Sequence, residues 1–471
     1  MKYMNQSIIV FSAILFFLNC NKSILNNSIG IRKPNIILIV ADDLGYRDLS
    51  LNGNKLIETP HLDLLAREGV HYKYGYAAAP LCSPTRASIV TGLSPARLHL
   101  TEHIHGHQPT PPGQKFITPK TAQGLDTALT TLPEVLSGQG YRCAHLGKWH
   151  LGGGASGPEH HGYHFTFGGS WAGLPNSFFY PFFNGNAYPE LKSAAQPGDY
   201  LTDVLTQRAI EWIDQEKDHP FFVSLNFYAP HVPIEGKPQL VQYYEEKAAK
   251  TGTILPNAHY AAMVHAIDEN VGKIMQHLKD NQLEENTLVL FTSDNGALDV
   301  EEVPAFAKHT PPTTNWPLKA GKGYMQEGGL RVPFIATWKG HINPGMVSAE
   351  PVISTDLMNT FAALAGAGYQ TSDGVNIAPT WMGKSLNRNL YWYFPHYSPQ
   401  RGTPAAAVRQ GPYKLLIDYE RNKISLYHLD LNEGETIDIA DQKPALVQQL
   451  HRAFLDWKAA SGAQELIPNK R

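Results

Sequence analysis

Cys82-Ser83-Pro84-Thr85-Arg86 runs into Ala87-Ser88-Ile89-Val90-Thr91-Gly92. This places a sulfur nucleophile and a permanent cation about one turn apart at the start of a helix. Ser83 suits the N-cap, Pro84 the first helical position, and Gly92 the end. Cys82 is then expected just outside the positive end of the helix, where an anion is favoured. Arg86 can hold an oxyanion with its fork of donors. The plainer alternative is an ordinary capped helix with an incidental buried thiol.

Four more polar clusters each follow a near-continuous apolar run. Asp42-Asp43 follow residues 35–41, and Lys148-Trp149-His150 follow the run at 141–144. Pro230-His231 follow 221–227, and Ser293-Asp294-Asn295-Gly296 follow 287–292. Such runs read as strands buried on both faces, as in parallel sheets. Helical patterns separate them: residues 260–279 carry Met263, Ile267, Val271, Ile274 and Leu278 at spacings of three and four. The expected class is α/β, a large, mostly parallel sheet flanked by helices. The tail differs. Short strands at 390–394, 406–417 and 424–429, then a helix at 444–460, suggest a smaller antiparallel sheet with one helix. The boundary falls near Arg388, dividing 34–388 from 389–471.

Ligands of open α/β sheets bind outside the carboxyl ends of the strands, so the clusters should converge. Asp42, Asp43 and Asp294 would bring three carboxylates together, with Asn295 adding an amide oxygen. Two like charges 4 Å apart repel by about 4 kcal/mol at an effective dielectric of ~20. A hard cation removes that cost, and an all-oxygen set favours Ca²⁺ or Mg²⁺ over zinc. Lys148, His150, His231 and Lys322 add cationic or proton-transferring groups. Lys322 sits in Gly321-Lys322-Gly323, whose small neighbours allow close approach to a ligand; an exposed turn lysine is the alternative. His103, His105 and His107 would share one face of an extended segment. That is either a metal or substrate-rim cluster or a surface loop leading into Pro109-Thr110-Pro111-Pro112-Gly113.

The chain has 471 residues, room for one large domain and a smaller one. With 42% hydrophobic and 17% charged residues it is globular, not disordered. A net charge of −3 gives no basic patch for nucleic acid, so an anionic ligand must be held locally. Cys20, Cys82 and Cys143 do not make a disulfide framework, although Cys82 and Cys143 could pair in an oxidising compartment. The apolar run 8–18 after Lys2 is too short to span a bilayer and reads as the core of a signal peptide over 1–20. Leu18-Asn19-Cys20 resembles a bacterial lipoprotein cleavage box with Cys20 lipidated. Lipid anchoring or plain secretion both imply export, to the periplasm, the outer membrane or the medium. Residues 21–33 read as a linker.

Taken together, these residues resemble the formylglycine-dependent sulfatase family of the alkaline phosphatase superfamily, from Pro34 to about Asp441. Cys82-Ser83-Pro84-Thr85-Arg86 with Thr91-Gly92 is similar to one family signature, and Gly147-Lys148-Trp149-His150-Leu151-Gly152 to a second. Asp294-Asn295-Gly296, Gly321-Lys322-Gly323 with Glu327-Gly328-Gly329, and Leu426-Tyr427-His428-Leu429 with Asp438-Ile439-Ala440 also match. Gly434-Glu435-Thr436 is a variant of the usual turn. The resemblance implies an alkaline-phosphatase-like mixed sheet. It further implies that a maturation enzyme oxidises Cys82 to formylglycine, whose hydrated form attacks sulfur. Asp42, Asp43, Asp294 and Asn295 would hold Ca²⁺ (or Mg²⁺), which also contacts residue 82. Arg86 and Lys148 would stabilise the diol and the covalent sulfate. His150 would take a proton so that sulfate is expelled, and His231 and Lys322 would bind the sulfate and assist the leaving alcohol.

The implied substrate is a sulfated carbohydrate. Ser94-Pro95-Ala96-Arg97-Leu98 with Thr101-Glu102 is similar to members acting on galactose or N-acetylgalactosamine sulfates. Trp171, Phe178, Phe179, Tyr180, Phe182 and Phe183 could stack on sugar faces or form a local hydrophobic cluster. Two rivals remain at this point: a phosphoester hydrolase of the same superfamily, and a catalytically inactive glycan-binding lipoprotein.

Overall fold

Strand β1 (Asn35–Ala41) is buried along its whole length. Its alternate side chains feed two cores: Ile37, Ile39 and Ala41 face one, and Ile36, Leu38 and Val40 the other. This is the pattern of a central strand covered on both faces. The computed structural model describes residues 33–104, 113–185, 188–252 and 257–470. The signal segment with Cys20, residues 21–32 of the linker, His105 and His107 lie outside the described residues.

β1 belongs to an eight-stranded mixed sheet. In chain order its other members are β2 (Val70–Tyr72), β3 (Arg142–Gly147), β4 (Phe165–Phe167), β5 (Phe221–Asn226), β6 (Thr287–Ser293), β7 (Phe334–Thr337) and β8 (Met346–Ser348). The spatial order is β8-β2-β7-β6-β1-β5-β3-β4. The run β6-β1-β5-β3-β4 is parallel throughout, and β7 pairs antiparallel with both β6 and β2. The four apolar runs singled out in the sequence are thus the four consecutive strands β6, β1, β5 and β3.

Helices cover both faces. On one lie α1 (Pro60–Arg67), α3 (Leu201–Glu216) and α4 (Ala258–Asp280); on the other lie α2 (Cys82–Thr91) and α5 (Asp356–Leu364). None of the helices among the described residues is long and apolar enough to cross a membrane.

The start of α1 is capped from a distance. Asp268 on α4 accepts the amide protons of Leu62 at 2.7 Å and His61 at 3.1 Å. Burial pushes its carboxyl up to about 6, against these two hydrogen bonds. Asp268→Ala leaves both donors without their acceptor, so it should destabilise the fold by about 1–3 kcal/mol. The check is a lower denaturant midpoint at unchanged slope; an unchanged midpoint would show that the long-range cap is immaterial.

The C-terminal sheet has four strands: β9 (Asn389–Phe394), β10 (Ala405–Gln410), β11 (Tyr413–Asp418) and β12 (Lys423–His428), antiparallel in that order. The segment expected as one strand over 406–417 is a tight hairpin. Gly411 (φ +53) and Pro412 turn the chain between β10 and β11. One face packs under α6 (Pro444–Ser461), which contributes Leu450 and Phe454. The opposite face, with Trp392, Phe394 and Ala407, packs with Tyr76, Met325 and Leu330.

Candidate active site

The carboxyl ends of β6, β1, β5 and β3 finish level. Ala41 pairs with Ser293, Val40 with Asn226, and Gly147 with Asn226. Asp42, Lys148 and Asp294 therefore leave the sheet from one line. Continued strand alternation would send Asp42 and Asp43 to opposite faces. Asp43 instead takes a left-handed conformation (φ +63), and His150 does the same (φ +55). Such backbone costs about 1–2 kcal/mol per residue and collects at functional sites. Gly147 (φ +87) makes the exit of β3 possible, since a Cβ there would lie 1.9 Å from the Asn226 carbonyl oxygen.

Cys82 is the first residue of α2, and Leu81 is its N-cap. The helix starts earlier than the Ser83 and Pro84 capping pattern predicts. Ser83 is drawn into tertiary contacts: its Oγ donates to the His150 carbonyl at 2.8 Å and accepts the Ile104 N–H at 3.1 Å. Gly92 ends the helix as expected, at φ +68. Cys82 Sγ lies 3.2 Å from His150 Nδ1. The alternative Cys82–Cys143 disulfide is excluded, because both thiols are free and buried. Cys143 sits on β3 with its Sγ 3.6 Å from the Pro133 carbonyl. Burial pushes the Cys82 thiol up despite the nearby Lys148 and Lys322. The unmodified residue is a neutral thiol, not an activated thiolate.

Around it, three carboxylates interlock with three cations. Asp42 Oδ2 accepts Lys148 Nζ at 2.7 Å, and Asp43 Oδ2 accepts Lys322 Nζ at 2.7 Å. Asp294 Oδ2 accepts Arg86 Nε at 2.9 Å and lies 2.7 Å from Nη2. Asp294 Oδ1 takes the Asp43 N–H at 3.1 Å, and Asn295 Nδ2 donates to Asp43 Oδ1 at 2.7 Å. Arg86 Nη1 is fixed by the Lys148 carbonyl at 3.0 Å and Asn226 Oδ1 at 3.3 Å. Nothing in the local sequence marked Asn226, which is only the last residue of β5.

The two histidines are neutral for the same reason. Burial, reinforced by neighbouring lysines, holds His150 and His231 well below the usual imidazole range. His231 Nδ1 donates to the Val232 carbonyl at 2.9 Å, leaving Nε2 to accept Lys322 Nζ at 2.9 Å. Burial opposes ionisation of Asp43, yet the Lys322 and Lys148 ammonium groups hold it well below the carboxylate range. Asp42 is pushed the other way by burial, with Asp294 and Asp43 adding to it against Lys148 and Arg86.

The donor set fits a hard divalent cation. Asp42 Oδ1 and Asn295 Oδ1 are buried oxygen acceptors with no hydrogen-bond partner. Leaving such atoms unpaired costs about 1–3 kcal/mol each, which an ion would recover. Asp42, Asp43 and His231 also present ligand atoms within 4.8 Å of one another, but His231 already uses both ring nitrogens. Oxygen ligation by Asp42, Asp43, Asp294 and Asn295 is the better match to these open atoms.

A cavity of about 320 Å³ opens onto Cys82, His150, His231 and Lys322. His150 is seated against Gly173, where a Cβ would come within 2.5 Å of the ring. The rim adds His103, Trp171, Glu302 and Gln400. The aromatic segment divides here. Trp171 is 54% exposed and lines the cavity, whereas Phe178, Phe182 and Phe183 are core and Phe179 and Tyr180 pack against that core. A larger groove, about 910 Å³, lies at the amino end of β6 beside His277 and Lys339, with no cysteine among its described lining residues.

The loop bearing Lys322 is anchored by the C-terminal sheet. Lys414 Nζ on β11 binds Glu327 Oε1 at 2.9 Å and Glu435 Oε1 at 3.0 Å, and Glu435 Oε2 accepts the Glu327 N–H at 2.7 Å. All three side chains are fully buried.

The sheet order and this site define a hydrolase of the alkaline phosphatase superfamily. A family model described as Sulfatase matches residues 34–367, and the C-terminal model of N-sulphoglucosamine sulphohydrolase matches 320–459. The chain is 34% identical to N-acetylgalactosamine-6-sulfatase of Mus musculus over 405 residues, which is 81% of this chain and 71% of the relative. It is 33% identical to arylsulfatase A of Homo sapiens over 416 residues, 81% of this chain and 74% of the relative. Its fold is similar to the crystal structure of Ps i-CgsB in complex with k-i-k-neocarrahexaose, with a TM-score of 0.75, 31% identity, and coverage of 91% and 93% of the two chains. The chain belongs to the sulfatase family and is a sulfuric ester hydrolase.

Proposed function

We propose that the protein hydrolyses sulfate esters of a sulfated glycan, of the galactose or N-acetylgalactosamine sulfate type, using a formylglycine formed from Cys82. The observation that carries this reading is that Cys82, His150, His231 and Lys322 line one cavity and that three interlocking, buried carboxylate–cation pairs gather at the same strand ends. The relatives named for N-acetylgalactosamine-6-sulfate and the likeness to a structure bound to a neocarrahexaose support the carbohydrate class.

Asp42, Asp43, Asp294 and Asn295 would hold Ca²⁺, or Mg²⁺, which supplies polarisation of the sulfate. A formylglycine at residue 82, made by a maturation enzyme, supplies an oxygen nucleophile. The remaining roles belong to the chain's own groups. Arg86 and Lys148 hold positive charge beside residue 82, where charge develops on the sulfate. Neutral His150 presents Nδ1 to the residue-82 side chain, poised to take a proton. Lys322 Nζ and His231 Nε2 share one proton, which can move towards the leaving alcohol. The burial of the site keeps bulk water from weakening these contacts. Three carboxylates and three cations leave the floor near neutrality. A divalent cation and a sulfate ester are therefore best bound together, each offsetting the other.

The reading includes export, with residues 1–20 as the signal segment and Cys20 as the point of lipid attachment or else part of a secreted leader. Nucleic acid is no part of it.

The test is direct. Protein produced alongside a maturation enzyme should yield a residue-82 peptide with the mass of the aldehyde. It should also release sulfate from aryl sulfates and from galactose or N-acetylgalactosamine sulfates far faster than phosphate from the matching aryl phosphate. Faster phosphate release would move the assignment to a phosphoester hydrolase. An inert, fully matured protein that still binds the sulfated sugar would favour a binding role.

A further inference from the structure

The cavity walls carry charge information that the floor does not. Glu302 lines the cavity, and its recorded partners are neutral: Oε1 accepts Gln400 Nε2 at 2.7 Å and Oε2 accepts the Val303 N–H at 3.2 Å. Gln400 is itself locked. Its Oε1 accepts Ser398 Oγ at 2.8 Å, and its backbone N–H donates to that hydroxyl at 2.9 Å. Buried Gln400 therefore fixes the Glu302 carboxylate without neutralising it. Lys322, the one lysine among the described lining residues, is engaged by Asp43. His103 is tied to Glu102 Oε1 through Nδ1 at 2.7 Å, so the two side chains together bring no net positive charge. Trp171, Val303 and Phe306 supply apolar wall.

A carboxylate accepts a hydrogen bond from a sugar hydroxyl and repels an anion. From these walls we infer that the site takes a sugar carrying a single sulfate and rejects one with a second sulfate on the same sugar, and that Glu302 sets this selectivity. The inference rests on the sulfatase reading above and deepens it. A second sulfate held roughly 6 Å from Glu302 meets repulsion equivalent to a loss on the order of 10-fold in kcat/KM at intermediate dielectric.

The experiment uses matured full-length protein with galactose and N-acetylgalactosamine bearing one sulfate, the same sugars bearing sulfates at positions 4 and 6, and an aryl sulfate. Wild type should favour the monosulfated sugars by about 10-fold or more in kcat/KM. Glu302→Gln keeps an oxygen acceptor for Gln400 while removing the charge, so it should bring the ratio of mono- to disulfated rates close to one. Equal rates on the two sugars in wild type, or a ratio unmoved in Glu302→Gln, overturns the inference. Aryl sulfate turnover with no release from any sugar also overturns it and leaves the sulfatase reading standing. Inertness on all substrates, aryl sulfate included, defeats that reading and this inference with it.

Discussion

Cys82→Ala abolishes sulfate-ester turnover, by roughly 10⁴-fold or more, while the protein stays folded. A loss of that size is expected when the nucleophile of a cooperating set is removed. The fold should tolerate the change. Cys82 is 3% exposed and its recorded side-chain contact is with His150 Nδ1, so alanine removes one sulfur and exposes no new charge. Burial pushes the unmodified thiol up, which accords with the proposal that the working nucleophile is the matured residue. Paired measurement of aryl sulfate turnover and thermal midpoint checks both halves. Substantial activity in the folded variant would end the proposed mechanism.

Loss of the proposed divalent cation should have the next largest effect. Chelation is expected to cut turnover at least 100-fold and lower the thermal midpoint, with both restored by added Ca²⁺. A cation at 100 times its dissociation constant stabilises the native state by about 2.7 kcal/mol, ample for a clear shift. Asp294→Asn keeps the side-chain volume and one oxygen for Arg86 but removes a charge from the set. It should abolish the Ca²⁺-dependent rise in midpoint even where the variant stays folded. The open atoms Asp42 Oδ1 and Asn295 Oδ1 are the reason for expecting this. A midpoint indifferent to chelator and to Ca²⁺ in the wild type would remove the cation from the site.

Much of the site was legible because parallel strands carry an unusually plain signal. Residues buried on both faces must be apolar, so 35–41, 221–227 and 287–292 read as strands, and the polar residues after them mark the strand ends. The 141–144 run was shorter than its strand because β3 continues through His145 to Gly147. Other features depended on partners far away in the chain. Ser83 has the side chain of a helix cap, but the His150 carbonyl and the Ile104 N–H compete for it and win. The aromatic run from Trp171 to Phe183 has no periodicity to say which rings are core and which face a ligand.

The sequence by itself determined the sheet's central strands, the polar residues at their ends and the family, because these depend on local hydrophobic pattern and on residue types at short spacing. Tertiary structure alone decided which atoms meet. Register made Asp42, Lys148 and Asp294 neighbours, and left-handed turns at Asp43 and His150 aimed their side chains inward. The hairpin β10–β11 brought Lys414 under the Lys322 loop. Glu302 and Gln400, almost a hundred positions apart, became one wall of the cavity. Such long-range pairings follow from packing of whole layers, and no local pattern records them.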